Sequence, residues 1–311
     1  MSQQAVIETE KLTKRYHDFV AVDKLNLRID EGEVFGFLGP NGAGKTTTIL
    51  MLLGLTEPTS GTARVYGYDP IREPLKVKRI VGYMPEKIGF YDDLTARENL
   101  DYTAWLNGLS REEAARKMSE LLEMVGLAKD AEKKVGKFSH GMKQRLGIAD
   151  VMIKDPKVAF FDEPTSGIDP EGVDQILSLI TDMARKKMTV VLSSHQLHLV
   201  QKVCNRVGIL AKGHLVLEGS VEQLGRESLG GGKFRIQLQV ADPATKLIDA
   251  IKSINGVIDV ESSNDLLLVS CNDDLRPQVA RAVVDSGSLL VQMKIEEYGL
   301  EEIYLKYFRE S

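Results

Sequence analysis

The chain has 311 residues, of which 43% are hydrophobic and 27% charged, enough for a sizeable core and two domains of an ordinary globular protein. A net charge of −5 argues against broad electrostatic binding of nucleic acid, so no nucleic-acid partner is expected. No apolar run reaches the roughly 18 residues that a bilayer span requires, and the start, MSQQAVIETEKLTKRY, lacks the apolar stretch of a signal peptide.

In chain order, Val34–Leu38 is a short apolar strand leading into GPNGAGKTT, Gly39 to Thr47, where a helix is expected to open. This fits G-x-x-x-x-G-K-[ST], the phosphate-cradling loop, in the strand-to-helix context the motif needs. Gly39, Gly42 and Gly44 let backbone N–H groups turn inward around phosphate oxygens, and Asn41 and Thr47 complete the cradle. Lys45 supplies a charge to the β/γ-phosphates, Thr46 offers a hydroxyl to Mg²⁺, and the helix N-terminus adds its partial positive charge.

Further on, FSHGMKQR (Phe138–Arg145) sets a Ser and a Gly at the mouth of a helix in which Met142, Leu146, Ala149 and Ile153 recur at helical spacing. Asp155-Pro156 ends that pattern. Val158–Phe161 is apolar throughout, as a buried parallel strand should be, and VAFFDEP closes it with two carboxylates. Asp162 suits a second anchor for Mg²⁺, and Glu163 is placed to orient or deprotonate an attacking water. Met188–Leu192 reads as another buried strand, with His195 just past it in VVLSSH. Ligands of open parallel sheets bind outside the carboxyl ends of the strands. Lys45, Asp162, Glu163 and His195 all follow such ends, so one sheet edge should gather them in an α/β domain.

The glycine-rich stretch 225–232 is the expected joint between domains. Beyond it, residues 233–311 read as β-α-β-β-α-β, a small ferredoxin-like sandwich, with a closing helix over Leu300–Phe308. Cys204 and Cys271 are far apart and lack metal-ligand spacing, which reads as two thiols in a reducing cytosol.

Taken together, the motifs resemble the nucleotide-binding subunit of an ABC transporter over about Ala5 to Gly219. Gly39–Thr47 is similar to its Walker A and Val158–Glu163 to its Walker B with the following glutamate. SGID, Ser166–Asp169, is similar to the D-loop, and His195 to the switch histidine. The resemblance implies a P-loop cassette over 1–224, with a mostly parallel core sheet, an N-terminal antiparallel β part and a helical insert at about 87–138. It implies ATP and Mg²⁺ as cofactors, catalytic Lys45, Glu163 and His195, metal contacts from Thr46, Asp162 and Glu86, and Tyr16 stacked on adenine. FSHGM resembles the family's signature, so Ser139 and Gly141 would reach the nucleotide of a second, facing cassette, with Asp169 at the same interface. The sequence departs from the family at His140 and Met142 in the signature, and at Glu86, where Gln is usual.

His140 is expected to be solvated, Tyr102 and Trp105 to pack internally, and Phe90 and Tyr91 to face a membrane partner. The C-terminal unit resembles the accessory domain of drug, antibiotic and sodium exporter subunits of the ABC-2 type. The resemblance thus implies an ATPase that powers a separate integral membrane permease, pairs as a homodimer, and sits on the cytoplasmic face of the membrane. The competing reading is a soluble ABC-type ATPase of assembly, DNA repair or translation. The long heptad insert of the repair type and the double cassette of the translation type are both absent from the sequence.

Overall fold

The computed structural model describes residues 4–221, 223–224, 234–241, 245–263 and 266–296; the joint at 225–232 and the closing helix at Leu300–Phe308 lie outside them. The chain forms two compact units, Met1–Gly219 and Ser220–Ser311.

The first unit opens with a long hairpin, β1 (Ala5–Tyr16) and β2 (Phe19–Asp30). Each strand alternates buried and exposed residues, as strands with one wet face do. With β4 (Ser60–Val65) they make an antiparallel three-stranded sheet in the order β2-β1-β4.

A second sheet has six strands in the order β5-β6-β7-β3-β8-β9. Its strands are β3 (Val34–Leu38), β5 (Val81–Met84), β6 (Val158–Asp162), β7 (Thr189–Ser194), β8 (Arg206–Ala211) and β9 (His214–Ser220). The pairs β5·β6, β6·β7, β7·β3 and β3·β8 are parallel. Every residue of β3, β6 and β7 is buried, which is why these strands are nearly continuous apolar runs without alternation. Helix α1 (Lys45–Leu52) follows β3, and α2 (Pro74–Ile80) precedes β5.

The insert contributes α3 (Ala96–Leu106) and α4 (Arg111–Met124). Thr95 and Glu98 form a reciprocal capping box that fixes the start of α3. Then come α5 (His140–Met152), the helix that the Leu146 and Ala149 spacing predicts, α6 (Pro170–Arg185) and α7 (Leu197–Val203).

The second unit runs β10 (Phe234–Val240), α8 (Thr245–Lys252), β11 (Val257–Ser263), β12 (Leu266–Cys271), α9 (Arg276–Asp285) and β13 (Leu290–Glu296). Its strands lie in the order β11-β12-β10-β13, each antiparallel to its neighbour. Ile236, Leu238 and Val240 from β10 meet Leu247, Ile251, Val279 and Val283 from the helices in a core of its own. Cys204 and Cys271 are both buried free thiols.

Candidate functional site

The turn from β3 into α1 is shaped by contacts that tolerate no side chain. A Cβ on Gly39 would stand 2.3 Å from the Leu210 carbonyl oxygen, and one on Gly44 2.5 Å from that of Ala21. Gly44 also has φ 106°, a region that L side chains rarely adopt. Gly44 caps α1 without any side-chain hydrogen bond, leaving first-turn N–H groups for an anion. Lys45 curls back over the loop, and its Nζ donates to the carbonyls of Gly39 at 2.7 Å and Pro40 at 3.4 Å.

The ends of β6 and β7 meet this loop. Their parallel register sets Asp162 beside Ser193. The Thr46 hydroxyl donates to Asp162 Oδ2 at 2.8 Å, and the Ser193 hydroxyl donates to Oδ1 of the same carboxylate. Ser193 Oγ in turn accepts the Glu163 N–H at 3.0 Å. Glu163 holds φ 50°, a left-handed conformation that costs a non-glycine residue about 1–3 kcal/mol and persists where surroundings enforce it. Here the Glu163 N–H, shared between the Ser193 hydroxyl and the Ser193 carbonyl at 3.2 Å, and the side-chain contacts supply that enforcement.

Glu163 is only 6% exposed. Its Oε2 lies 2.9 Å from His195 Nδ1. Its Oε1 is 3.3 Å from Lys45 Nζ, within ion-pair range but not aligned as a hydrogen bond, so that buried oxygen still has an acceptor position free. A buried carboxylate oriented by an imidazole and facing a phosphate loop can take a proton from water and pass charge to its neighbours.

In front of the loop lies a cleft of about 300 Å³ whose lining includes Tyr16, Phe19, Asn41, Thr47, Glu86 and Glu163. Gly42, Gly44, Lys45 and Thr46 also line it. Phe19 is absent from the sequence reading. The signal for it is the two-residue turn in Tyr-His-Asp-Phe, which makes Tyr16 and Phe19 cross-strand partners at the tip of the hairpin. Both are exposed, Tyr16 by 43% and Phe19 by 61%, so the pair offers two ring faces to a flat ligand. Replacing both with Ala should weaken nucleotide binding about thirtyfold or more, since each stacked ring is worth roughly 1–3 kcal/mol. Titration with a fluorescent ATP analogue measures this, with either single variant giving the smaller share.

The ABC transporter family profile matches residues 22–166. The bacitracin transport ATP-binding protein BcrA of Bacillus licheniformis is 36% identical over 303 residues, covering 97% of this chain and 96% of the relative. This chain belongs to the ABC transporter ATP-binding proteins. The linearmycin resistance ATP-binding protein LnrL of Bacillus subtilis is 34% identical over 304 residues, covering 96% of this chain and 97% of the relative. Among solved structures, a dimeric ATP-binding cassette in a post-hydrolysis state bound to ADP and Pi matches with a TM-score of 0.63 and 26% identity. That match spans 69% of this chain and 98% of the other. The protein is therefore an ABC ATPase that binds and hydrolyses ATP.

Other sequence-predicted residues of this ABC ATPase lie outside the cleft. Ser139 caps α5 by accepting the Met142 N–H at 3.2 Å, and Gly141 sits in that helix's first turn. Asp169 caps α6 by accepting the Gly172 N–H at 2.9 Å. None of the three lines the cleft of its own chain. His140 is exposed, as expected, and its Nε2 also donates to the Ser166 carbonyl at 2.9 Å.

Tyr102 and Trp105 also differ from expectation. They are 41% and 70% exposed, because the buried stripe of α3 is Ala96, Leu100 and Ala104, and the aromatics project from the other side. Tyr91 is exposed by 54%.

The donor set fits Mg²⁺. A Thr hydroxyl and an Asp carboxylate held 2.8 Å apart are hard oxygen donors beside a phosphate loop. Among the described residues no cluster of three or more His, Cys, Asp or Glu that could hold a metal ion is present.

Proposed function

We propose that this ABC ATPase powers a separate integral membrane permease of the drug or antibiotic exporter class. Two copies would pair head to tail and close over ATP. The observation that carries the reading is the division of the parts. One cleft holds the phosphate loop, Glu163 and the aromatic tip, while the capped N-terminus of α5 stands apart from it. A second copy facing the first brings that helix end to the missing side.

In this reading the ring faces of Tyr16 and Phe19 hold adenine, and the loop amides with Lys45 hold the phosphates. Thr46 and Asp162 would hold Mg²⁺, with Glu86 near, and the ion supplies charge neutralisation on the phosphates. Glu163 accepts the proton of the attacking water. His195 keeps the Glu163 carboxylate oriented and takes part of the charge that develops. Ser139 and the N–H groups of α5 of one chain meet the phosphate held by the other, with Asp169 fixing the helix behind the D-loop.

No helix among the described residues is long and apolar enough to cross a membrane, so attachment falls to a partner. The names of BcrA and LnrL, which specify bacitracin transport and linearmycin resistance, support an antibiotic-type cargo. The chain would work at the cytoplasmic face of the membrane, and its second unit is assigned to dimer stability or regulation. Pull-down of the tagged chain from gently solubilised membranes of its own cells should yield a stoichiometric polytopic protein. Recovery with soluble assemblies alone would defeat the transporter reading and leave the ATPase intact.

A further inference from the structure

Polar side chains on the first two turns of α5 reach in two directions. Lys143 pairs with Asp92 at 2.8 Å and Arg145 donates to the Val125 carbonyl at 2.9 Å, so both hold the helix to the insert. His140, the first residue of α5, turns instead to the D-loop of its own chain through the Ser166 carbonyl at 2.9 Å. It is also a position where the sequence departs from the family's signature.

The contact is shaped on both sides. Gly167 has φ 70°, and a Cβ there would stand 3.4 Å from the imidazole, so the ring comes close to that peptide. Ile168 packs between two helix starts. Its Cγ2 would be 3.4 Å from a Cβ on Gly141 of α5 and 2.5 Å from one on Gly172 of α6, so a side chain on Gly172 would displace it. The ends of the D-loop are fixed separately. The Ser166 N–H closes a turn on the Glu163 carbonyl at 3.1 Å, and Asp169 caps α6. Glu163 is held in turn by Ser193 and His195. Removing the imidazole therefore leaves Glu163 and Asp169 in place and loosens the start of α5 from the D-loop.

We propose that His140 is a positioning residue for ATP hydrolysis. It sets the start of α5 against the D-loop, so that Ser139 and the first-turn N–H groups meet the partner chain's phosphate in one orientation. The proposal rests on the head-to-tail reading. It adds a residue that the usual signature lacks and predicts that its effect falls on the site of the other chain.

In the full chain, His140→Ala should lower kcat about two- to tenfold, the weight of one hydrogen bond. ATP affinity should hold, because the phosphate loop is untouched, and the thermal midpoint should move little, because the residue is exposed. His140→Gln keeps an N–H donor at similar reach and should restore most of the rate. Mixing then shows which site suffers. In pairs with Lys45→Ala chains, the working site joins the loop of the His140→Ala chain to an intact signature and should run at the wild-type rate. In pairs with Ser139→Arg chains, the working site uses the signature of the His140→Ala chain and should carry the full loss. Pairs of two His140→Ala chains contribute equally to both mixtures.

An unchanged kcat in His140→Ala, a loss that Gln does not restore, or equal activity of the two mixtures would overturn this proposal alone. The control mixture of Lys45→Ala with Ser139→Arg separates the two claims. If it stays inactive while mixed dimers form, the head-to-tail reading falls and this proposal with it.

Discussion

Glu163→Gln should lower the ATP turnover rate roughly 10²–10⁴-fold, the range that a positioned general base contributes, while ATP binding persists. The substitution is close to isosteric, so the amide still fills the space between Lys45 and His195 and can still bond the imidazole. What it removes is the basic oxygen. Lys45 keeps its bonds to the Gly39 and Pro40 carbonyls, so the phosphate loop stays in shape. With hydrolysis slowed, bound ATP continues to favour the closed pair of cassettes, because a ligand stabilises the state that binds it. Single-turnover hydrolysis and size-exclusion chromatography with ATP should therefore show a slow enzyme and a persistent dimer. Turnover at the wild-type rate would place the base elsewhere.

Lys45→Ala should act on binding first. Lys45 is 5% exposed, and its ammonium bonds two carbonyls of the loop and lies 3.3 Å from Glu163. Its removal leaves the loop without its internal staple and the phosphates without a buried counter-charge. Truncating one partner of a buried charge pair costs about 2–5 kcal/mol, so ATP affinity should fall more than about tenfold, a step worth roughly 1.4 kcal/mol. Glu163 keeps His195 at 2.9 Å, so the variant should still fold. Equilibrium titration with a fluorescent ATP analogue gives the affinity, and the thermal midpoint without nucleotide separates binding from stability. An unchanged affinity would detach Lys45 from the phosphates.

Much of this site is legible in the sequence because parallel strands leave a strong trace. β3, β6 and β7 are covered on both faces, so Val34–Leu38, Val158–Phe161 and the run ending at Leu192 stand out as continuous apolar segments. The polar residues just after them fall on one edge by topology alone. Ser193 is not legible, since its bond to Asp162 depends on β6 and β7 being neighbours, a tertiary fact. The left-handed backbone of Glu163 is likewise silent, because no glycine marks it.

The aromatics show a different limit. Phe19 could have been found from hairpin register, but Tyr102 and Trp105 cannot be placed by residue type. Only the buried stripe of Ala96, Leu100 and Ala104 tells which face of α3 is covered. The hydrogen bond of the exposed His140 is not legible for a related reason. Its partner, the Ser166 carbonyl, lies 26 residues away and is brought near by the fold.

The central claim is that each ATP site is completed by the Ser139 segment of a second chain, and mixing two inactive variants tests it most directly. Lys45→Ala chains lack a working phosphate loop, and Ser139→Arg chains lack a working signature, so each alone should be nearly inactive. A mixed pair contains one site built from the intact loop of one chain and the intact signature of the other. Mixing equal amounts should restore about a quarter of wild-type ATPase activity, since half of random pairs are mixed and each holds one intact site of two. If the mixture stays as inactive as its components while mixed dimers are shown to form, Ser139 serves its own chain and the head-to-tail account is wrong.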